Sequence, residues 1–245
     1  MMVESGARAL AESAQLLEAG RKREARGLLR DFIDEHPGWA FENLTSIQVA
    51  TTYAYLLFDA GDYEGSLKYN CRAFDSLSER RGRNDQYTID VGHYVVRCYA
   101  KLKRIDEALA LQKQLVDAEA SVYGGASHQR IMSLSDVGLF RRLQRNDGEA
   151  LAADLVALDE GRRSEDLDPR SRAVLIQRLS EDYVRLKNHR EAFELITEGL
   201  RYSEQTLGRH DPLTKTFRRG YRVLWLSHRL ARRKGDQDGA QTKSV

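Results

Sequence analysis

One segment of the sequence recurs five times at almost constant spacing. The copy at 99–111, YAKLKRIDEALAL, has the pattern of a helix end, a tight polar turn and the start of a second helix. Related segments begin at Leu16, Leu56, Arg141 and Val184. Aligned on the small residue that opens the second helix, the five copies give Ala25, Ser66, Ala108, Ala150 and Ala192, which lie 41, 42, 42 and 42 residues apart. A pair of short helices cannot bury its apolar face alone, so this spacing predicts an array of stacked helical pairs.

Composition agrees with a soluble all-α chain. The 245 residues are 41% hydrophobic and include only three prolines, each at a predicted helix boundary. The net charge of +2 implies neither nucleic acid nor an anionic membrane as a partner. No apolar run has the length of a signal peptide or a membrane span, and two cysteines fit a reducing compartment. We therefore expect a cytoplasmic protein that does not contact membranes.

The first helix of each pair can be compared in columns 42 residues apart. One column is apolar in every copy and predicts the core face: Tyr53, Val95, Val137, Leu179 and Tyr221. Another is polar in every copy and predicts a surface: Thr51, His93, Ser135, Gln177 and Arg219. A third column is large and apolar except at Arg141, which predicts a slip of about one residue in that helix.

The same register predicts the domain organisation. Residues 1–38 form an N-terminal helical hairpin, 39–234 hold four 42-residue pairs and a C-terminal capping helix, and 235–245 form a disordered tail. Trp39 and Phe41 are expected to seal the joint after the hairpin. Asp168-Pro169 and Asp211-Pro212 have the pattern of helix starts, in which an acceptor precedes a proline at the first helical position. Ser127, and either Asn84 or Asp85, are candidates for the same capping role.

The local pattern resembles the tetratricopeptide repeat (TPR). Large residues close the first helix, Gly61-Asp62-Tyr63 forms one turn, and Glu-Ala opens the second helix at 24–25, 107–108, 149–150 and 191–192. The lengthened period and the segment LGRHDPLTKT at 207–216 resemble the 42-residue repeats of kinesin light chain. The resemblance implies a right-handed α-solenoid of antiparallel helix pairs whose first helices line a concave groove for peptides or partner proteins. Where that family often carries paired asparagines this chain has none, so the resemblance does not transfer ligand specificity.

The resemblance places the polar column and the column one turn later in that groove, and i,i+4 spacing puts both on one helix face. The predicted partner-binding residues are Tyr55, Phe58, His93, Arg97, Leu139, Arg142, Gln177, Glu181 and Arg219. The basic members of this face, with Lys101 and Arg185, favour an acidic peptide. The alternative is that these arginines are solvated and balanced by Asp136 and Glu181.

The sequence predicts a scaffold or adaptor without chemistry of its own. Its six histidines match no metal-ligand spacing, no phosphate-binding glycine loop or nucleophile elbow appears, and no cofactor is expected. The last helix has eight Lys/Arg and no acidic residue between Lys215 and Lys234, which is the one hint of nucleic-acid binding and equally fits a capping helix. Two alternatives remain: an intracellular peptide-sensing regulator, and a biosynthetic enzyme or accessory protein with a closed apolar pocket in the groove.

Overall fold

A computed structural model describes residues 2–37, 39 and 41–241, and the backbone alone for 227–241. The chain forms two compact units, Met1–Gly124 and Gly125–Val245. The first unit contains α1 (Met2–Glu18), α2 (Lys22–Glu35), α3 (Leu44–Asp59), α4 (Tyr63–Arg81), α5 (Gln86–Lys101) and α6 (Ile105–Tyr123). The second contains α7 (His128–Leu143), α8 (Asp147–Arg163), α9 (Pro169–Arg185), α10 (His189–Thr206) and α11 (Pro212–Gln241). The described residues form no strand, and none of their helices is long and apolar enough to cross a bilayer.

Helix boundaries follow the period of the sequence. The second helices begin at Lys22, Tyr63, Ile105, Asp147 and His189, at steps of 41, 42, 42 and 42 residues. Both ends of α7 lie 42 residues after the ends of α5, so the predicted slip in the third 42-residue repeat is wrong. Arg141 interrupts the apolar column without a shift of the helix. Its guanidinium forms an ion pair with Glu149 at 2.7 Å, and the neighbouring Phe140 is the buried aromatic residue.

The turn inside each pair has the same backbone geometry. The second residue after the first helix takes a positive φ in all five pairs, at Gly20, Gly61, Lys103, Arg145 and Lys187. The next backbone N–H then donates to a carbonyl five residues earlier, as from Arg104 to Tyr99 at 2.9 Å. This arrangement is a Schellman C-cap, which satisfies the last carbonyls of the first helix. Only two of the five copies use glycine, so the other three accept a left-handed conformation that side chains disfavour.

Side-chain caps begin α5, α7 and α9, as the sequence predicted. The Asp168 carboxylate accepts from the backbone N–H groups of Arg170 and Ser171, with Pro169 in the first turn. Asp85, rather than Asn84, caps α5, and Ser127 caps α7. Each cap accepts hydrogen bonds from backbone N–H groups of the first turn that have no partner within the helix.

Each unit has its own core. In the first unit, Trp39 is buried in a cluster with residues of α1, α2 and α3, and Phe41 in one with residues of α3, α4 and α5. In the second, Phe217 of α11 is 2% exposed and packs so closely on α10 that only a glycine fits at Gly199. Trp39 and Phe217 each join a first helix to the pair before it.

The C-terminal helix differs in length from its prediction. α11 continues to Gln241, seven residues beyond the expected end at Lys234. Each residue added to an existing helix gains one backbone hydrogen bond, and no proline interrupts this segment. Residues 242–245 of the predicted tail lie outside the described part of the chain.

Candidate functional site

The two predicted faces of the first helices differ in burial. Val95 and Leu179 of the core column are each 2% exposed, whereas Val137 is half-buried. In the opposite column Arg219 is exposed and His93 and Gln177 are half-buried. Ser135 is the exception, since it is fully buried rather than at the surface. Its hydroxyl donates to Asp154 at 2.9 Å and accepts from Arg178 at 2.8 Å, so Arg178 covers it.

In the first unit, α3 and α5 present a surface of aromatic rings around one cation. The Arg97 guanidinium lies 4.7 Å from the Phe58 ring centre and 5.2 Å from that of Tyr94. Tyr55, which is 39% exposed, meets Tyr94 edge to face at 6.3 Å. Cation–π contact holds the guanidinium in place while its N–H donors remain available. We call this surface, formed by Tyr55, Phe58, Tyr94 and Arg97, the aromatic clamp.

His93 has a structural contact beside the aromatic clamp. Its Nε2 lies 2.8 Å from Oε1 of Glu119, a side chain of α6 that is fully buried. One imidazole nitrogen is therefore occupied by the protein itself. His93 ties α5 to α6 and leaves only part of its ring for a partner.

In the second unit, Arg142 does not lie in the groove and this prediction is wrong. Its side chain is 6% exposed and donates to Asp154 of α8, and to Asp182 of α9 at 2.7 Å. A buried guanidinium needs carboxylate partners, and α8 and α9 supply two. Burial opposes the charge on Arg142, but the two hydrogen bonds raise its pKa. We call Arg142, Asp154 and Asp182 the buried triad.

The buried triad has unequal numbers of acids and bases. Asp182 and Asp154 are 0% and 1% exposed, and they share a single guanidinium. Burial raises the pKa of Asp182 to about 7, against the opposing effect of its hydrogen bond from Arg142. Its Oδ2 is buried and makes no hydrogen bond with another described residue. The second carboxylate is therefore costly to keep ionised.

A cavity of about 530 Å³ lies between α9, α10 and α11 in the second unit. Its apolar floor includes Ile196, Phe217 and Leu224, all below 10% exposure. Val184 and Val223, which are 41% and 60% exposed, form its edges. Three predicted site residues lie at this cavity: Gln177, Glu181 and Arg219. We call this site, with its apolar floor and polar rim, the α9–α11 cavity.

Charge at the rim of the α9–α11 cavity is only partly balanced. Gln177 donates to Glu181 at 2.8 Å, and Arg185 lies 3.6 Å from Asp147 of α8. Arg219 belongs to none of the ion pairs between described residues, and the same holds for Arg97 in the first unit. Neither guanidinium is therefore neutralised by a carboxylate among the described side chains.

Leu139, the remaining predicted residue, is half-buried on α7 and lies in neither site. Sequence reasoning also missed Tyr94, whose ring completes the aromatic clamp, and Asp154 of the buried triad. Asp182 could have been singled out from the sequence, because the other residues at 42-residue intervals from it are apolar: Leu56, Cys98, Phe140 and Leu224. Among the described residues, no group of three or more His, Cys, Asp or Glu side chains is arranged to hold a metal ion.

Comparisons with solved structures agree on the fold. The nearly identical TPR-like repeats assigned to a kinesin light chain of Podosopora anserina match with a TM-score of 0.70 at 15% identity, over 84% of this chain and 98% of that chain. BtubC (BKLC) from P. vanneervenii gives 0.69 at 13% identity, over 86% of this chain and 92% of that one. A tetratricopeptide repeat protein from Parabacteroides merdae gives 0.66 at 15% identity, over 99% and 81%. No protein-family model matches the sequence, and no curated protein matches it. The chain has the all-α, TPR-like helical repeat fold that the sequence predicted.

Proposed function

We propose that this protein is a non-catalytic binding module that holds an acidic segment of a partner protein on the exposed faces of its first helices. The observation that carries the proposal is the α9–α11 cavity, which has an apolar floor and, at its rim, Arg219, a guanidinium that forms no ion pair with a described residue. Small concave apolar sites with a few polar groups are the usual form of a ligand site. Solved structures with the same fold include repeats assigned to a kinesin light chain, which is consistent with a binding role.

The α9–α11 cavity suits the side chains of a polypeptide. Val184 and Val223 would be covered by an incoming apolar side chain, and removing such area from water contributes about 25 cal/mol per Å². Gln177 and Glu181 offer hydrogen-bonding groups for the backbone of an extended segment. Apolar burial would supply affinity, and the polar rim would fix orientation.

The aromatic clamp supports an acidic partner. Arg97 is held between two rings and pairs with no carboxylate among the described residues. Because its position is fixed, a carboxylate that binds there orders little additional side chain, which favours affinity. Arg142, which the sequence assigned to the same role, is excluded from it by burial.

Selection from a random peptide library tests this proposal, followed by fluorescence anisotropy of the selected peptides. We expect enrichment of Asp and Glu next to apolar residues, and affinity that falls as salt rises. The double variant Arg97→Gln with Arg219→Gln should bind the selected peptides at least about tenfold more weakly, since each charge-assisted hydrogen bond is worth about 1.5–3 kcal/mol.

Matched controls lie on the second helices. Arg23→Gln with Arg201→Gln removes the same charge from exposed positions of α2 and α10 and should leave affinity unchanged. Peptides that bind both double variants equally well would show that Arg97 and Arg219 are not the anion sites. Failure to enrich any acidic peptide would refute the acidic partner.

A further inference from the structure

The buried triad joins three helices of the second unit at one point. Arg142 comes from the end of α7, Asp154 from the middle of α8 and Asp182 from α9. Gly138 of α7 makes room for it, because a Cβ at that position would lie 2.7 Å from Asp154 Oδ1. The three residues are between 0% and 7% exposed, so water cannot screen their charges.

The charges in and around the buried triad do not cancel. One guanidinium faces two carboxylates, and the other cations near it have their own partners. Arg178 of α9 donates to Asp136 at 2.9 Å, and Arg185 lies 3.6 Å from Asp147. Two ionised carboxylates would therefore leave one uncompensated buried negative charge.

Among the side chains that the structure describes, the other elements packed on α9 do not supply the missing positive charge. From α10, the charged pair Arg190 and Glu194 is exposed, and its members bind each other at 3.2 Å. From α11, Arg219 is exposed at the rim of the α9–α11 cavity. On α9 itself, Glu181 accepts from Gln177. A proton is the remaining way to balance the cluster.

We infer that Asp182, beside Asp154, holds a proton at slightly acidic pH, and that loss of this proton at higher pH loosens α9 and the α9–α11 cavity. Protonation leaves one carboxylate against one guanidinium, so the cluster becomes neutral. Ionisation instead leaves two carboxylates against one buried guanidinium at the junction of α8 and α9, where like charges repel strongly. The pKa of Asp182, which burial raises to about 7, agrees with this direction.

The position of Asp182 explains why loss of the proton would change the shape of the α9–α11 cavity. The residue lies on α9 between Glu181 and Val184, both of which line the α9–α11 cavity. A movement of α9 away from α8 would therefore displace the cavity wall. The consequence for partner binding rests on the proposed function, whereas the proton itself does not.

Carbon-13 NMR of selectively labelled aspartate carboxyls, recorded from pH 4 to 9 on the wild-type chain, detects the proton directly. We expect one carboxyl to titrate near pH 7 and to disappear in Asp182→Asn. Asp154→Asn should shift this titration, and Asp159→Asn, at an exposed position of α8, should leave it unchanged. A wild-type spectrum in which every aspartate titrates below about pH 6 would overturn the inference.

Hydrogen exchange at pH 6 and 8.5, corrected for the intrinsic rate, tests the loosening. Segments of α9 and of α11 around Val223 should exchange about tenfold faster at the higher pH in the wild type and equally at both pH values in Asp182→Asn. Equal protection in the wild type would overturn the loosening even if the titration is observed. Neither measurement involves a peptide, so their failure is distinguishable from failure of the proposed function.

Discussion

The contact between Gly199 of α10 and Phe217 of α11 predicts a large effect for a single methyl group. A Cβ at Gly199 would lie 2.5 Å from Cζ and 2.8 Å from Cδ1 of the ring, whereas ordinary contacts begin near 3.4 Å. The ring would have to move by about 1 Å, and at 2% exposure it has dense packing around it. Overpacking of this kind costs about 1–3 kcal/mol, and we expect the upper end of that range.

The helix itself gains from the same change. Replacing glycine by alanine in a helix contributes roughly 0.5–1 kcal/mol, so Gly199→Ala should lower the free energy of unfolding by about 2 kcal/mol net. Gly148→Ala is the matched control, since it also lies in a helix of the second unit and a Cβ there meets nothing within 4 Å. It should raise stability by about 0.4–1 kcal/mol.

Urea-induced unfolding, followed by far-ultraviolet circular dichroism and analysed by linear extrapolation, measures both variants. A Gly199→Ala chain as stable as Gly148→Ala would show that the ring has room to move. The close packing of α10 on α11, from which the magnitude was derived, would then be refuted.

Three further predictions use the same urea assay. Lys103→Gly, and likewise Arg145→Gly and Lys187→Gly, should raise stability by up to about 1 kcal/mol, because relief of the left-handed strain, about 1–2 kcal/mol, exceeds the extra backbone entropy that glycine loses on folding, about 0.5–1 kcal/mol. A loss of stability would contradict this. Because burial raises the pKa of Asp182 to about 7, the folded state binds more protons than the unfolded state between about pH 4 and 7. The stability of the wild type relative to Asp182→Asn should therefore fall by at most about 4 kcal/mol as pH rises through that window. A difference in stability that does not change with pH would contradict this cause. Arg142→Leu should cost about 3–5 kcal/mol at pH 8 and less at pH 5, where Asp182 is protonated; a pH-independent cost would contradict the charge argument.

Much of the fold could be predicted because the repeat is encoded locally. The 42-residue step follows from the small residues that open the second helices, and these residues, such as Ala108 and Ala150, are fully buried where the helices of a pair meet. The caps at Ser127 and Asp168 depend on residues within three positions of the helix start. Neither feature requires knowledge of distant contacts.

The candidate site was harder to predict, because burial of a polar side chain depends on partners from other helices. Arg142 was assigned to the groove from its charge, yet Asp154 and Asp182 hold it inside. Ser135 was assigned to the surface by its column, and Arg178 covers it. Hydropathy alone favours exposure for such residues, so only their tertiary partners reverse the prediction.

The first unit shows that this fold does not need a charged cluster at these positions. The residues two repeats before Asp154 and Asp182 are Asn70 and Cys98, which are buried and neutral. Asn70 donates to the Ser66 hydroxyl at 3.2 Å, and Cys98 lies 3.3 Å from the same oxygen. Neutral polar contacts therefore suffice to join a first helix to the second helix before it. Because a buried ion cluster generally adds little net stability over such packing, the charges of the second unit are better explained by sensitivity to protonation than by a requirement of the repeat.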